Sequence, residues 1–544
     1  MNRIGLWALV LSVVGLATAK APLEPPTTRP ATQPARDWPL WGGSPSRNAV
    51  SAARGIPHEW NLDTGHNIKW AVPLGSYSYG GPVVAGGRVF VGTNNARELR
   101  PHSTGDKGCL LCLDAATGEL LWQATHDKLP TGPANDWPEQ GVASTPYVHG
   151  DRVYYVSNRC ELVCADVNGF HDGVNDGPYR DEKFTERQDA DFLWIRDLIG
   201  ELGVYPHNLA ASSPVGDNER VYVCTSNGVD EEHDKPPAPE APAFIAVDKQ
   251  TGRVVWKRSD PGANILHGQW SSPALGVIGG RPQVIFGGGD GWCYSYDPAT
   301  GTPLWKFNLN PPDAVWKPGG TGTKSSIVAM PVIAGDRVYL AVGDDPEQCR
   351  GPGHLYAIDA TKGPHFDPPP SQVATGDSLR RGGVGGGSES ADVNRERRAS
   401  TNGGRASEKG TQPLDITESG RVWHVGGADF GRTIASVVVA DGLLYAADLA
   451  GYLSCFDAAT GQRHWRHDMQ AGVWASPCVI AGKVYLGNTD GEMVILRHGM
   501  EKQELARIDM RHAIYTSPAV ADGVLYVMTQ RFLYAIEAAD KKRQ

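Results

Sequence analysis

Eight residues of the kinds that hold small ligands stand at one place relative to a recurring dipeptide. His207, Asn208, His267, Gln269, Trp270, Arg432, Trp474 and Tyr515 each lie three to seven residues ahead of a small-Ser/Thr-Pro run or, for Arg432, ahead of its Ala-Ser-Val counterpart. Imidazole, amide and guanidinium groups supply directed hydrogen bonds, and indole and phenol rings supply flat apolar area. Together they suit a sugar, a peptide or a small planar guest. Arg432 adds a permanent charge and a donor fork matched to a carboxylate, which favours an acidic sugar or a peptide terminus. A wet channel whose polar groups satisfy one another is the plainer alternative.

A second group of residues could hold a hard cation. Asp166, Asn168, Asp172 and Asp176 are interleaved with Gly169, Gly173 and Gly177, and calcium takes six to eight oxygens from carboxylates, amides and carbonyls. The spacing departs from the Asp-x-Asn-x-Asp-Gly loop, and Asp, Asn and Gly also make ordinary turns. No residue is assigned a catalytic role. The chain has no His-Glu-x-x-His and no Gly-x-Ser-x-Gly. Residues 319–325 have a Walker-like composition, but the spacing is wrong and a strand follows where a phosphate-binding helix would be needed.

The elements that must position these groups repeat eight times. A small-Ser/Thr-Pro run, an apolar stretch, a polar turn and a second apolar strand recur at 80–91, 143–156, 211–223, 271–286, 329–341, 435–446, 475–487 and 516–528. Most copies are followed by Asp-x-x-Thr-Gly-x-x-x-Trp, as in Asp114, Thr117, Gly118 and Trp122, or Asp457, Thr460, Gly461 and Trp465. Asp opens a hairpin turn through its side chain and Gly supplies a positive φ. The Trp can then cover the gap to the neighbouring sheet while its N–H finds a partner. Four short strands cannot bury their own faces, so the units stack around an axis.

The expected fold is therefore all-β, an eight-bladed β-propeller over residues 37–544. The eighth copy ends without a Trp strand, whereas Asp63-Thr64-Gly65 and Trp70 lack preceding strands. These halves complete one another, so an N-terminal outer strand closes the last blade and protects its edge. Outer strands are expected near 192–195 and 421–424, after insertions in blades two and five. The stretch 371–411, rich in Gly, Ser and mixed charge, is expected to be disordered.

Arg3, the apolar run 4–16 and Ala17-Thr18-Ala19 form an export signal with cleavage near Ala19, and 20–36 form a Pro-rich linker. A secreted or periplasmic protein is expected. The apolar run is shorter than the ~20 residues that span a bilayer, so no transmembrane span is expected. A net charge of -10 argues against nucleic acid as partner. Nine cysteines are an odd number, and the pairs Cys109–Cys112 and Cys160–Cys164 are badly placed for a bridge within one strand.

The repeats, with the opening Asp37-Trp38-Pro39-Leu40-Trp41-Gly42-Gly43, resemble the pyrroloquinoline-quinone-like (PQQ-like) propeller superfamily. That superfamily holds quinoprotein alcohol dehydrogenases and non-enzymatic envelope proteins of the BamB type. The exported repeat proteins that this chain resembles carry over no activity, and the ring of ligand-type residues leads to the expected role of a scaffold binding a protein, peptide or carbohydrate at the channel mouth. Its alternative is a PQQ-dependent alcohol or sugar dehydrogenase, which would need the quinone and calcium. The dehydrogenases commonly stack the quinone against a disulfide of adjacent cysteines, and this chain has no Cys-Cys. No cofactor is therefore expected beyond the candidate calcium.

Overall fold

The computed structural model describes residues 37–317, 322–343, 352–364 and 412–538. The signal at 1–19, the linker at 20–36 and the insertion at 371–411 lie outside the described residues. The rest folds as the repeats require, into eight four-stranded antiparallel blades arranged as a ring. Blade 1 shows the pattern: an inner strand Val83–Ala85, then Arg88–Asn94, Lys107–Asp114 and an outer strand Leu120–Asp127. The expected outer strands appear as Phe192–Asp197 in blade 2 and Arg421–Gly426 in blade 5.

Outer-strand Trp residues lock blades to their neighbours, except in blade 7, whose outer strand Glu504–Asp509 has none. The Trp122 indole of blade 1 fills the space where a side chain on Gly169 of blade 2 would lie, and its Nε1 donates to the Val167 carbonyl at 3.0 Å. Trp256 repeats this against Gly301, donating to the Pro298 carbonyl, and Trp423 repeats it against Gly461, donating to Ala458. At Gly301 and Gly461 glycine is needed twice over. It supplies the positive φ of the turn, 69° and 75°, and it leaves room for the ring. The Asp of each turn accepts from the Thr three residues on, as Asp457 does from the Thr460 N–H at 2.8 Å and its hydroxyl at 2.8 Å.

Ring closure follows the split motif. Ile68–Pro73 forms the outer strand of blade 8, pairing antiparallel with Phe532–Ile536, with Trp70 opposite Ala535. Blade 4 carries a fifth strand that the repeat pattern does not contain: Leu414–Asp415 runs parallel to Pro303–Asn308.

A strap formed by residues 38–51 winds inside the channel in ring order. Trp38 pairs with Val84 of blade 1, and the Pro39 carbonyl accepts from Val148 of blade 2. Pro45 and Ser46 accept from Leu275 and Ile333 of blades 4 and 5. The Asn48 amide bonds both the N–H and the carbonyl of Val439 in blade 6, and Val50–Ser51 pairs in parallel with blade 7. Blade 3 is held by Arg47, whose guanidinium reaches the Ser213 carbonyl at 2.6 Å. Inner strands of a propeller present unpaired backbone groups to the channel, and the strap supplies their partners.

The eight described cysteines are buried free thiols. Among the described residues, no helix is long and apolar enough to cross a membrane.

Candidate functional site

The strap leaves a pit of about 450 Å³ at one mouth of the channel, with Trp41 of the strap among its lining groups. In blades 2 to 8 the residue before the repeat proline, or before Val437 in blade 6, faces this pit, and the Ser/Thr at most of these positions has a structural reason. Five of these hydroxyls accept a backbone N–H from the preceding blade: Thr145 from Gly81 at 2.8 Å, Ser213 from Thr145 at 3.0 Å, Ser272 from Ser213 at 2.8 Å, Ser436 from Met330 at 2.8 Å and Ser476 from Ser436 at 2.9 Å, whereas Ser517 donates to the Ser476 carbonyl at 2.7 Å. A hydroxyl that accepts still has its own proton to donate, so this girdle lines the pit with hydroxyl donors.

Aromatic walls rise above the girdle. Tyr79, Trp474 and Tyr515, from blades 1, 7 and 8, form one wall: Tyr79 lies 5.3 Å from Tyr515, and Trp474 lies 5.2 Å from Tyr515 between ring centroids. Burial and the neighbouring phenols raise the Tyr79 pKa, so its hydroxyl keeps its proton. Blades 3 and 4 contribute Asn208, Leu209, His267 and Trp270, and the half-exposed Trp137 sits at the rim, its N–H bonded to the Asn208 carbonyl at 2.7 Å. The Trp270 Nε1 donates to Leu209 at 3.2 Å, which fixes the plane of its ring.

Of the eight residues expected here, Asn208, His267, Trp270, Trp474 and Tyr515 line the pit. His207 and Gln269 are fully buried behind it, where the Gln269 amide bonds the Asn227 carbonyl at 2.8 Å. Arg432 is not among the lining groups; its carbonyl accepts from Leu449. The expectation of an acidic guest rested on Arg432 and has no counterpart here, because the described lining contains no Lys, Arg, Asp or Glu. Trp41, Tyr79 and Trp137 were not among the eight. The aromatic-rich opening segment signals Trp41, and Tyr79 lies three residues ahead of Pro82.

The acidic loop lies on the outside of blade 2. Carboxylate oxygens of Asp166, Asp172 and Asp176 come within 4.8 Å of one another. Asn168 is engaged elsewhere, its amide oxygen accepting from Arg88 at 2.5 Å. A fourth carboxylate, Asp191, was not expected. It is fully buried; one oxygen accepts the Asp176 N–H at 2.6 Å, and Oδ1 has no hydrogen-bond partner among the described residues.

Residues 81–171 and 412–498 match the family model described as outer membrane protein assembly factor BamB. No curated protein matches the chain. Among solved structures, BamB from Moraxella catarrhalis is 13% identical over 88% of this chain and 99% of its own, with a TM-score of 0.50. The quinohemoprotein alcohol dehydrogenase from Comamonas testosteroni is 12% identical over 95% of this chain and 82% of its own, with a TM-score of 0.46. A computationally designed protein, Ika8, is 11% identical over 86% and 99%, with a TM-score of 0.48. The resemblance to BamB at this identity concerns the fold.

Proposed function

We propose that this PQQ-like propeller repeat protein is a binding scaffold of the cell envelope that takes an uncharged guest, a neutral sugar or an apolar peptide segment of a partner protein, into the pit. One observation carries the reading: the pit beside the strap is lined, among the described residues, by aromatic rings, aliphatic side chains, hydroxyls, amides and the His267 imidazole, with no Lys, Arg, Asp or Glu. Flat rings stack on sugar faces or apolar side chains, and hydroxyl donors then fix orientation. An envelope location agrees with the export-type sequence at 3–19 and with the BamB family match.

A quinone cofactor fits this pit poorly. The quinone carries several carboxylates and works with a calcium ion, yet the described lining offers neither a cation for the former nor a carboxylate for the latter. The test of the binding reading is an array of glycans and peptides followed by hydrogen exchange on the bound state. Protection at 207–211, 270–274 and 513–517 is expected. Protection confined to the outer strands would refute it.

A second reading concerns calcium at Asp166, Asp172 and Asp176, and the observation favouring it is the buried, unpartnered oxygen of Asp191. Burial first, and then the surrounding carboxylates, hold Asp191 up to about 6. A carboxyl whose folded pKa exceeds its unfolded value of roughly 4 stabilises the fold at low pH, and that contribution is lost as the pH rises through about 6. Above that pH the cluster repels itself, and a cation relieves the repulsion. Added calcium should therefore raise Tm by a few degrees at pH 7.5 and by less at pH 5, and Asp172→Ala with Asp176→Ala should abolish the gain. A wild-type melting curve indifferent to calcium and chelator at pH 7.5 would end this reading.

A further inference from the structure

Three loops that are distant in sequence bring three imidazoles together beside the pit. His207 precedes the inner strand of blade 3, His233 lies in the loop after the strand Arg220–Cys224, and His267 precedes blade 4. Their ligand atoms all fall within 4.8 Å of one another, and the Nε2 atoms of His233 and His267 are 3.0 Å apart. We propose that these histidines bind a borderline divalent metal ion, Zn2+ being the simplest.

The geometry is close to what such a site requires. Two nitrogens at ~2.0–2.1 Å from a tetrahedral zinc are roughly 3.3 Å apart, so small side-chain rotations suffice. The ligand set contains only imidazoles. It suits zinc, copper, nickel or cobalt, whereas calcium and magnesium require oxygen.

A backbone carbonyl already orients one of the rings. The Val229 carbonyl can only accept, so its 3.0 Å contact fixes the proton of His207 on Nδ1 and leaves Nε2 as the ligating nitrogen of the neutral ring. The Val229 N–H donates to the His267 carbonyl at 3.0 Å, tying two ligand loops through one residue. Metal-binding histidines characteristically have this kind of carbonyl support on the other ring nitrogen.

The convergence also carries a conformational cost. His233 adopts a φ of 62° and Asn208 a φ of 60°, both unusual for residues with side chains. Gly228 is required because a Cβ there would fall 2.5 Å from the His207 Cβ. Unusual backbone gathered at one cluster is a mark of a functional site. His267 also lines the pit, so a coordination position left open by three protein ligands would be available to water or to a neutral hydroxyl or carbonyl oxygen of the guest.

The test uses the mature chain, stripped with chelator, titrated with Zn2+ by calorimetry and with Co2+ by visible absorption. One equivalent of Zn2+ and a tetrahedral Co2+ spectrum are expected. His233→Ala, on a partly exposed loop, should weaken Zn2+ binding by about 100-fold or more, as should His267→Ala, while His58→Ala, at an exposed imidazole outside the cluster, leaves it unchanged. X-ray absorption of the zinc-loaded wild type should show three imidazoles, which covers a variant that fails to fold. Absence of Zn2+ binding, equal affinity in wild type and His233→Ala, or an oxygen-only shell would overturn the proposal. The titration needs no guest, so its failure would leave the reading of the pit standing.

Discussion

Arg47→Ala is expected to destabilise the protein by about 3–5 kcal/mol, which thermal denaturation should register as a fall in Tm of roughly 3–5 °C for a fold of this size. The guanidinium is fully buried and spans two blades, donating from Nε to the Pro273 carbonyl at 2.7 Å and from Nη2 to Ser213 at 2.6 Å and Pro214 at 3.1 Å. Burial pulls its pKa down to about 9, so it is still charged at neutral pH and depends on those carbonyls for solvation. Alanine would strand them. Lysine, with one point charge on a flexible stem, cannot serve both blades and should recover only part of the loss. Removing residues 37–75 takes away the strap and the closing strand of blade 8 together, and should abolish cooperative folding, whereas removing 20–34 should leave Tm unchanged. Equal midpoints for those two deletions would show that strap and closure are misassigned.

The second large effect is on binding. For a guest identified by arrays, Trp270→Ala combined with Trp474→Ala should weaken binding by about 100-fold or more, since buried aromatic anchors commonly contribute ~2 kcal/mol or more each. Tm should stay within a few degrees, because both rings border the pit and neither is fully buried. Trp137→Ala, at the half-exposed rim, should cost less. Arg432→Ala should change nothing. Titration calorimetry of the four proteins distinguishes an uncharged pit from a charged one: a loss of binding in Arg432→Ala equal to that in the double Trp variant would restore an acidic guest.

The fold could be read from the sequence because its determinants are local and repeated. A period of two in the apolar residues, a turn fixed by Asp and Gly, and one Trp at constant spacing specify a blade, and the orphaned Trp70 reveals where the ring closes. The strap was not legible in the same way. Its partners are backbone groups of seven blades, and nothing in the type of Arg47 or Asn48 says which carbonyl it will meet. The site was half legible for a related reason. Aligning the positions ahead of each proline finds Trp270, Trp474 and Tyr515, but it places Arg432 on a ring to which its side chain does not contribute. It also misses His233, which reaches the same mouth from another loop. Asp191 was missed because it stands 15 residues beyond Asp176 in the chain and joins the acidic loop only through the fold.

The central claim is that the pit beside the strap is where a guest enters. A photo-crosslinking residue placed at Leu209, inside the pit, and separately at Val255, exposed on the outer strand of blade 3, tests it in cell-envelope extract. The account predicts that Leu209 captures one discrete species, displaced by the array-identified ligand, and that Val255 does not. Capture at Val255 alone, or capture at Leu209 that the ligand fails to displace, would contradict it.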